Sequence, residues 1–336
     1  MSLINSLPED IIIDCISRVP RRYYPTLSLV SKYFRSLITS HELYARRALL
    51  DRTEYCLYVT ISNKSDNNDG DDDDRLYTLR HNFNSPDKKY SLVPVSSLPM
   101  IPPRGSYVAV GSKIFVIPED ESLSSTDTLL IDCRFHTAHN LPSMPSQIGS
   151  SVYKYSSVGE ICIGGYKVGS RMNSSDGVMF LNQIPQTSVC MYQWTYSSVM
   201  TSDSVSFKAS ENRSVYDQNK YKWYDNDCFI DGVSYFYDPR LRILRAVDIR
   251  RMNMYMKDVK GVPITDEDVN FSCTVIYGGK VVVFLQIDIG EKNEIWCAEI
   301  KVEKDQKGEL CGRVEWCGCV FEGQWPTLKN SLVVKV

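Results

Sequence analysis

The hydrophobic pattern of this chain changes character once, near Tyr55. Before that point apolar residues recur at helical spacing: Ile11, Ile12, Cys15, Ile16 and Val19 form one stripe, which Pro20 terminates. Ahead of it Ser6-Leu7-Pro8-Glu9 reads as a capping box. The Ser6 hydroxyl would accept a hydrogen bond from the Glu9 amide, the Glu9 carboxylate would reach back to the Ser6 amide, and Pro8 would sit in the first turn. A second start at Pro25 carries Leu27, Leu29 and Val30, and a further segment holds Tyr33, Phe34, Leu37 and Ile38 with Lys32 and Arg35 between them. The spacing predicts a domain of three to four short helices over residues 1–50.

From Tyr55 onward the helical period gives way to short β-branched and aromatic runs bounded by Gly, Asp, Asn and Pro, which predict a mainly β domain over residues 51–336. A turn followed by an apolar strand recurs as GSKIFVI from Gly111, GEICIGG from Gly159, DGVSYFY from Asp231 and GGKVVVFL from Gly278. Glycine supplies the positive φ that such tight turns need. The glycine steps are 48 residues from Gly111 to Gly159, 73 to Gly232 and 47 to Gly279. Two of these match a repeat of about 50 residues, and the long one predicts a degraded unit between. Partner strands recur too: Asp132 closes LLID, Tyr216, Asp217 and Trp223 lie in SVYDQNKYKW, and Tyr237-Asp238 end VSYFYD. Ile295 and Trp296 lie in NEIWCAEIKV, which VEWCGCVF follows.

About forty residues of helix are few for independent stability, so part of their apolar surface should be buried elsewhere. Periodicity alone is satisfied by a helical cap packed on the β domain. The residues themselves add a resemblance. SLPEDIIIDCISRVP followed by LSLVSKYFRSLI resembles the F-box motif, with Leu7, Pro8, Ile11, Ile16, Val19, Pro20, Leu27, Val30, Lys32, Phe34, Arg35, Leu37 and Ile38 matching in order. Ser31 stands where Cys is usual and Phe34 where Trp is common. The β region resembles kelch repeats, in which a glycine-opened hairpin strand is followed by a tyrosine-aspartate turn and a tryptophan strand, with Gly164-Gly165 as a diglycine after its strand. Together they are similar to the plant F-box/kelch-repeat family over nearly the whole chain.

That resemblance implies a kelch-like β-propeller of about six blades behind a small all-α F-box, closed by pairing of Cys56–Ile61 with Ser331–Val336, which would cover edges that otherwise invite aggregation. It also implies a non-catalytic substrate receptor of an SCF-type ubiquitin ligase. Leu7, Pro8, Ile11, Ile16, Val19, Pro20, Leu27, Val30, Lys32, Phe34, Leu37 and Ile38 would meet a Skp-type adaptor and, through it, the cullin/RING core. The propeller would bind a target protein of unknown identity. The alternatives are a kelch interaction scaffold without ligase activity and a propeller oxidase.

Composition narrows these choices. With 336 residues the chain suits one small and one large domain, since single cores rarely grow past about 250 residues. A hydrophobic fraction of 43%, a charged fraction of 24% and a net charge of -3 give no reason to expect a nucleic-acid surface. No apolar run approaches the roughly 20 residues of a membrane span. Eleven cysteines without CxxC pairs point to free thiols and a cytoplasmic or nuclear setting.

Candidate chemistry is sparse. Of four histidines, His136 and His139 read as turn or surface residues rather than metal ligands, and Cys311, Cys317 and Cys319 as core thiols, the last two sharing a strand face. The acidic run Asp66–Asp74 lacks the acid that would close a calcium loop, because Leu76 stands at its twelfth position, and reads as a solvated loop. No P-loop, GxSxG or HExxH pattern occurs. No cofactor or metal is therefore expected. Among the 21 tyrosines some should anchor partners from the loops, and Arg104 is a further candidate.

Overall fold

In a computed structural model the described residues are 7–63, 73–81, 90–101, 105–118, 128–141, 149–150, 156–157, 160–166, 178–184, 191–197, 215–217, 222–224, 228–230, 233–248, 256–290, 292–323 and 325–336. Ser6, Arg104, Gly159 and most of the acidic run fall outside them.

Four helices open the chain: α1 (Glu9–Ser17), α2 (Tyr24–Val30), α3 (Lys32–Leu37) and α4 (His41–Leu49). Helix α1 begins at Glu9 with Pro8 as its cap, so Pro8 precedes the first turn, and its carbonyl accepts from the Ile11 and Ile12 amides. It ends at Ser17, ahead of Pro20. Its buried face is Ile12, Ile13, Ile16 and Ser17, while Ile11 and Cys15 face outward. This corrects the expected stripe. Three consecutive isoleucines span more than half the helix circumference, and packing chose the side that carries Ile13. The caps of α3 and α4 are side chains, with Ser31 Oγ accepting from Phe34 N and Ser40 Oγ from Leu43 N.

The strands form six sheets among the described residues. In chain order, β1 (Tyr55–Asn63), β2 (Asp73–His81) and β3 (Tyr90–Pro94) begin the first sheet. The second holds β4 (Gly105–Val110), β5 (Lys113–Pro118), β6 (Leu129–Asp132) and β7 (Thr137–Asn140). The third holds β8 (Gly149–Ser150), β9 (Ser156–Ser157), β10 (Glu160–Tyr166), β11 (Val178–Ile184) and β12 (Met191–Ser197). A hairpin of β13 (Val215–Asp217) and β14 (Lys222–Tyr224) stands within the long glycine step, where the degraded unit was expected. Next come β15 (Cys228–Ile230), β16 (Val233–Asp238), β17 (Ile243–Asp248) and β18 (Met256–Asp258), then β19 (Val269–Tyr277), β20 (Lys280–Ile289), β21 (Lys292–Lys304) and β22 (Leu310–Gly323). The last strand, β23 (Pro326–Lys335), returns to the first sheet and pairs with β1 in the order β23-β1-β2-β3. Strands β15, β19, β23 and β4, each at one edge of its sheet, pack side by side in that order, while the opposite-edge strands β3 and β22 also meet. Sheets arranged this way radiate from a common axis and are the blades of a β-propeller.

The expected closure is present, with Cys56 opposite Val334, Leu57 opposite Val333 and Val59 opposite Ser331. Glycine opens the recurrent hairpins through positive φ, 57° at Gly111 and 74° at Gly279. Gly164 and Gly165 prove to lie inside β10, where pairing passes from β11 at Gly164 to β8 at Gly165. Asp132 and Asp238 start related turns. Asp132 Oδ1 accepts from the Arg134 amide and Asp238 Oδ1 from the Arg240 amide, and four residues after each Asp a left-handed residue follows, His136 at φ 52° and Arg242 at φ 56°.

One hydrophobic core joins the helices to the first two blades: Ile12, Ile13, Ile16, Phe34 and Leu43 share a cluster with Tyr58, Ile114, Leu332 and Val334. Its polar centre is Arg47, which is 1% exposed. Arg47 Nη1 donates to Ser17 O, Val19 O and Tyr24 Oη at 3.0, 2.8 and 3.0 Å, and Nη2 donates to Glu54 Oε1 at 2.6 Å. Glu54 in turn exchanges backbone hydrogen bonds with Val336, just beyond β23. One guanidinium thus ties three helical segments to the seam of the propeller. Replacing Arg47 by Met should cost on the order of 3 kcal/mol, because its acceptors stay buried without their donor, and Lys should not rescue it. Thermal unfolding of both variants measures this; a midpoint equal to wild type would contradict it.

Candidate functional site

The residues expected to meet a partner divide by burial. Ile16, Phe34 and Leu37 are buried, and Val19, Leu27 and Ile38 are half-buried against the same cluster. This corrects their expected place on an outward face, since their side chains form the inside of the helical module. Leu7, Pro8, Ile11, Pro20, Val30, Lys32 and the matching Arg35 are exposed. Leu7 and Ile11 are 46% and 45% accessible and Val30 61%. Leu7 lies just ahead of the Pro8 cap and Ile11 in the first turn of α1.

Four exposed apolar residues of the helical module escaped the motif: Tyr23, Leu29, Tyr33 and, at the end of α4, Leu49. A signal existed for Leu29, because Leu27, Leu29 and Val30 spread over more of α2 than one packed face can cover. Tyr33 Oη donates to Glu9 Oε1 at 3.4 Å, which brings the exposed side of α3 beside the start of α1. Burial and the Glu9 carboxylate hold the Tyr33 phenol above its usual pKa. The exposed apolar patch comprises Leu7, Ile11, Leu29, Val30 and Tyr33, on segments that the Tyr33–Glu9 contact brings together, with Lys32 the cation beside Tyr33 in α3.

The patch is held on a firm base. Asp14 of α1 accepts from Arg46 of α4 at 2.5 Å and from Arg18 at 3.0 Å, and these hydrogen bonds, Arg46 foremost, keep its carboxyl below the usual range. Arg21 reaches into the propeller, where its Nη2 donates to the carbonyls of Cys133 and Arg134 at 2.5 and 2.9 Å. Tyr44 Oη also donates to Arg134 O, at 2.9 Å, and the Phe135 ring packs on His41 and Tyr44 with centroids 4.5 and 5.2 Å away. The β6–β7 turn is thus clamped under α4.

His136 in that turn has a structural environment. Its Nε2 lies 2.8 Å from Tyr58 Oη, and burial, with the Arg21 and Arg80 charges, pushes its pKa down to about 4. A neutral imidazole can accept a hydrogen bond from the Tyr58 hydroxyl. Between pH 6.5 and about 4 the unfolded chain binds a proton that the folded chain does not, so this contribution to stability is complete above pH 6.5 and is lost as pH falls towards 4. The thermal midpoint of wild type should fall more steeply across that window than that of His136→Gln; parallel curves would contradict the assignment.

The remaining candidates are placed as follows. His139 is exposed on β7. Cys311, Cys317 and Cys319 are half-buried rather than core thiols, and the pairing of β22 with β21 shifts register on either side of Cys317 and Cys319. Burial raises Cys317 to about 11 and Cys319 to about 12, which leaves both as thiols at neutral pH. The end of the acidic run is corrected: Asp73 and Asp74 belong to β2, and Asp74 is buried and accepts from Tyr107 Oη at 3.2 Å. No group of three or more His, Cys, Asp or Glu among the described residues could hold a metal ion. No described helix is long and apolar enough to cross a membrane.

Comparison with known proteins agrees with this geometry. An F-box domain model matches residues 4–46, across the helices that carry the patch, and a model described as FKB95, Kelch-repeats domain, matches residues 76–321. F-box/kelch-repeat protein At4g38940 of Arabidopsis thaliana is 38% identical, over 99% of this chain and 95% of its own length. F-box/kelch-repeat protein At4g39240 of the same plant is 31% identical over 98% and 90%. Among solved structures, the β-propeller domain of the Trilobed protease from Pyrococcus furiosus covers 80% of this chain and 92% of its own at 9% identity. Its TM-score of 0.26 is too low to bear on the fold, which rests on the sheets themselves.

Proposed function

The chain belongs to the F-box/kelch-repeat family, and from that membership we propose that it is the substrate-receiving subunit of an SCF-type ubiquitin ligase. In this reading the exposed side of α1–α3 docks on a Skp-type adaptor and through it on the cullin/RING core, while the propeller holds a target protein. The observation that carries the proposal is the apolar patch of Leu7, Ile11, Leu29 and Val30, left uncovered in the segment that matches the F-box. Several large apolar side chains left exposed on an otherwise well-packed module mark an interaction site.

The contribution to catalysis is proximity. A lysine of the bound target is held near a ubiquitin-charged enzyme at high effective concentration, and no residue of this chain enters the transfer. The joint through Arg47, Glu54 and Arg21 serves this role. It fixes the propeller relative to the docking face, so the target would be presented in one orientation.

Co-purification of the full chain with a Skp-type adaptor tests the reading. Stoichiometric capture is the expected result. Failure of the wild-type chain to bind would leave a kelch scaffold whose helical module no longer docks.

A further inference from the structure

The helices at the start of the chain and the strand that follows all the others are built into one another. Glu54, between α4 and β1, donates its amide to Val336 O at 2.6 Å and its carbonyl accepts from Val336 N at 2.8 Å, which continues the β1–β23 ladder beyond Tyr55 opposite Lys335. The carboxylate of the same residue accepts from Arg47 Nη2 of α4 at 2.6 Å and from the Arg21 amide, ahead of α2, at 3.0 Å. Its backbone thus belongs to the closing seam of the propeller and its side chain to the helices. The Lys335 amide also donates to Gly111 O at 3.0 Å, so the second blade holds β23 as well as the first.

Apolar packing divides at the same strand pair. Leu332, Val334 and Val336 are buried in the cluster that holds Ile12, Ile13, Ile16 and Leu43. On the other face of the seam, Leu57 and its partner Val333 pack in a separate cluster with Val282, Phe284 and Ile295 of the last blade, and no helical residue belongs to it among the described residues. Strand alternation makes this division. A helical module of about forty residues holds too little core to stand alone. With β23 unpaired, its isoleucine face would meet water, and the buried Arg47 would lose a carboxylate held in place.

We propose that this joint is a closure lock: α1–α4 and the β1–β23 seam form one cooperative unit, so the docking face is presented only by a propeller whose ring has closed. What the lock does for an adaptor rests on the substrate-receptor reading above; the lock itself does not. Because β23 follows every other strand in the sequence, a chain whose target-binding domain is unfinished would be refused by the ligase. By reciprocity, an adaptor bound to the helices holds the seam shut with the same free energy that closure lends to docking.

Native-state hydrogen exchange on the full chain tests the lock. In low guanidinium chloride the slowest amides of α1 and α4 are expected to open with the same free energy and denaturant dependence as those of β1 and β23. Leu57→Ala weakens the seam from the side that the helices do not touch. It should speed exchange about tenfold or more in β23, and by the same factor in α1 and α4. Arg47→Met should carry the effect the other way, from α4 into β23. A saturating Skp-type adaptor should slow the β23 amides of wild type, although the docking patch lies on α1–α3. The lock is overturned if the helices open at lower denaturant than the seam, if either variant speeds one side and leaves the other at its wild-type rate, or if bound adaptor slows α1 and α4 but not β23. Helices and seam that open together in a chain that captures no adaptor sink the ligase reading alone; adaptor capture by a chain whose helices open independently sinks the lock alone.

Discussion

Replacing Leu7 and Ile11 together by Asp is expected to abolish capture of a Skp-type adaptor, a loss of about a hundredfold or more, while thermal unfolding stays near that of wild type. Both side chains are nearly half exposed, so the chain loses little of its own packing. In a docked complex each would be desolvated, contributing up to roughly 1.5–3 kcal/mol, and each carboxylate buried in its place would add its own desolvation penalty. Two such changes exceed the 2.7 kcal/mol or so that a hundredfold represents. The contrast is Ile16→Asp, which should lose binding and fold together, because Ile16 lies inside the cluster shared with the propeller. Adaptor pull-down paired with thermal unfolding separates the two. Unchanged capture by the Leu7/Ile11 double variant would remove α1 from the docking face.

Deleting Ser331–Val336 should leave the propeller unable to fold stably. The six residues carry Leu332, Val334 and Val336, all buried, and the inner ladder of the first blade from Cys56 to Val59. Three buried aliphatic side chains are worth roughly 5–8 kcal/mol, and the freed backbone of β1 adds unsatisfied donors and acceptors. A typical domain holds only about 5–15 kcal/mol in all. The deletion also removes the Val336 partner of Glu54, so the helices should loosen with the blade. The expected outcome is a thermal midpoint lowered by more than about 10 °C or loss of soluble protein. A midpoint equal to wild type would show that the pairing of β1 with β23 does not hold the molecule together.

Much of this architecture was written in local pattern. The switch from helical spacing to alternating strands near Tyr55 and the glycine-opened hairpins at Gly111 and Gly278 follow from period and turn chemistry, which are local, whereas the pairing of the two ends of the β domain was implied by the resemblance to a propeller. The docking motif was legible because many residues match in fixed order. Less legible was its division into an inside and an outside. Ile11 and Ile16 have the same apolar chemistry, yet one is outward and the other buried, because the choice depends on which side of α1 meets α4 and the first blades.

Polar residues were the hardest to read, for the same reason. Arg47 lies in an ordinary basic stretch, and nothing local marks it as the most buried charge of the helical module; its acceptors come from Ser17, Val19, Tyr24 and Glu54, distributed over the chain. Asp74 looked like the last of a solvated acidic run and is instead buried beside Tyr107 of the next blade. The sequence by itself determined the secondary elements, their repetition and the family to which they belong, since periodicity and ordered motifs survive without knowledge of contacts. Only the tertiary structure decided which apolar faces stay open, which charges are enclosed, and that β23 packs on the helices as well as pairing with β1. Those properties are set by long-range partners, which a one-dimensional pattern does not specify.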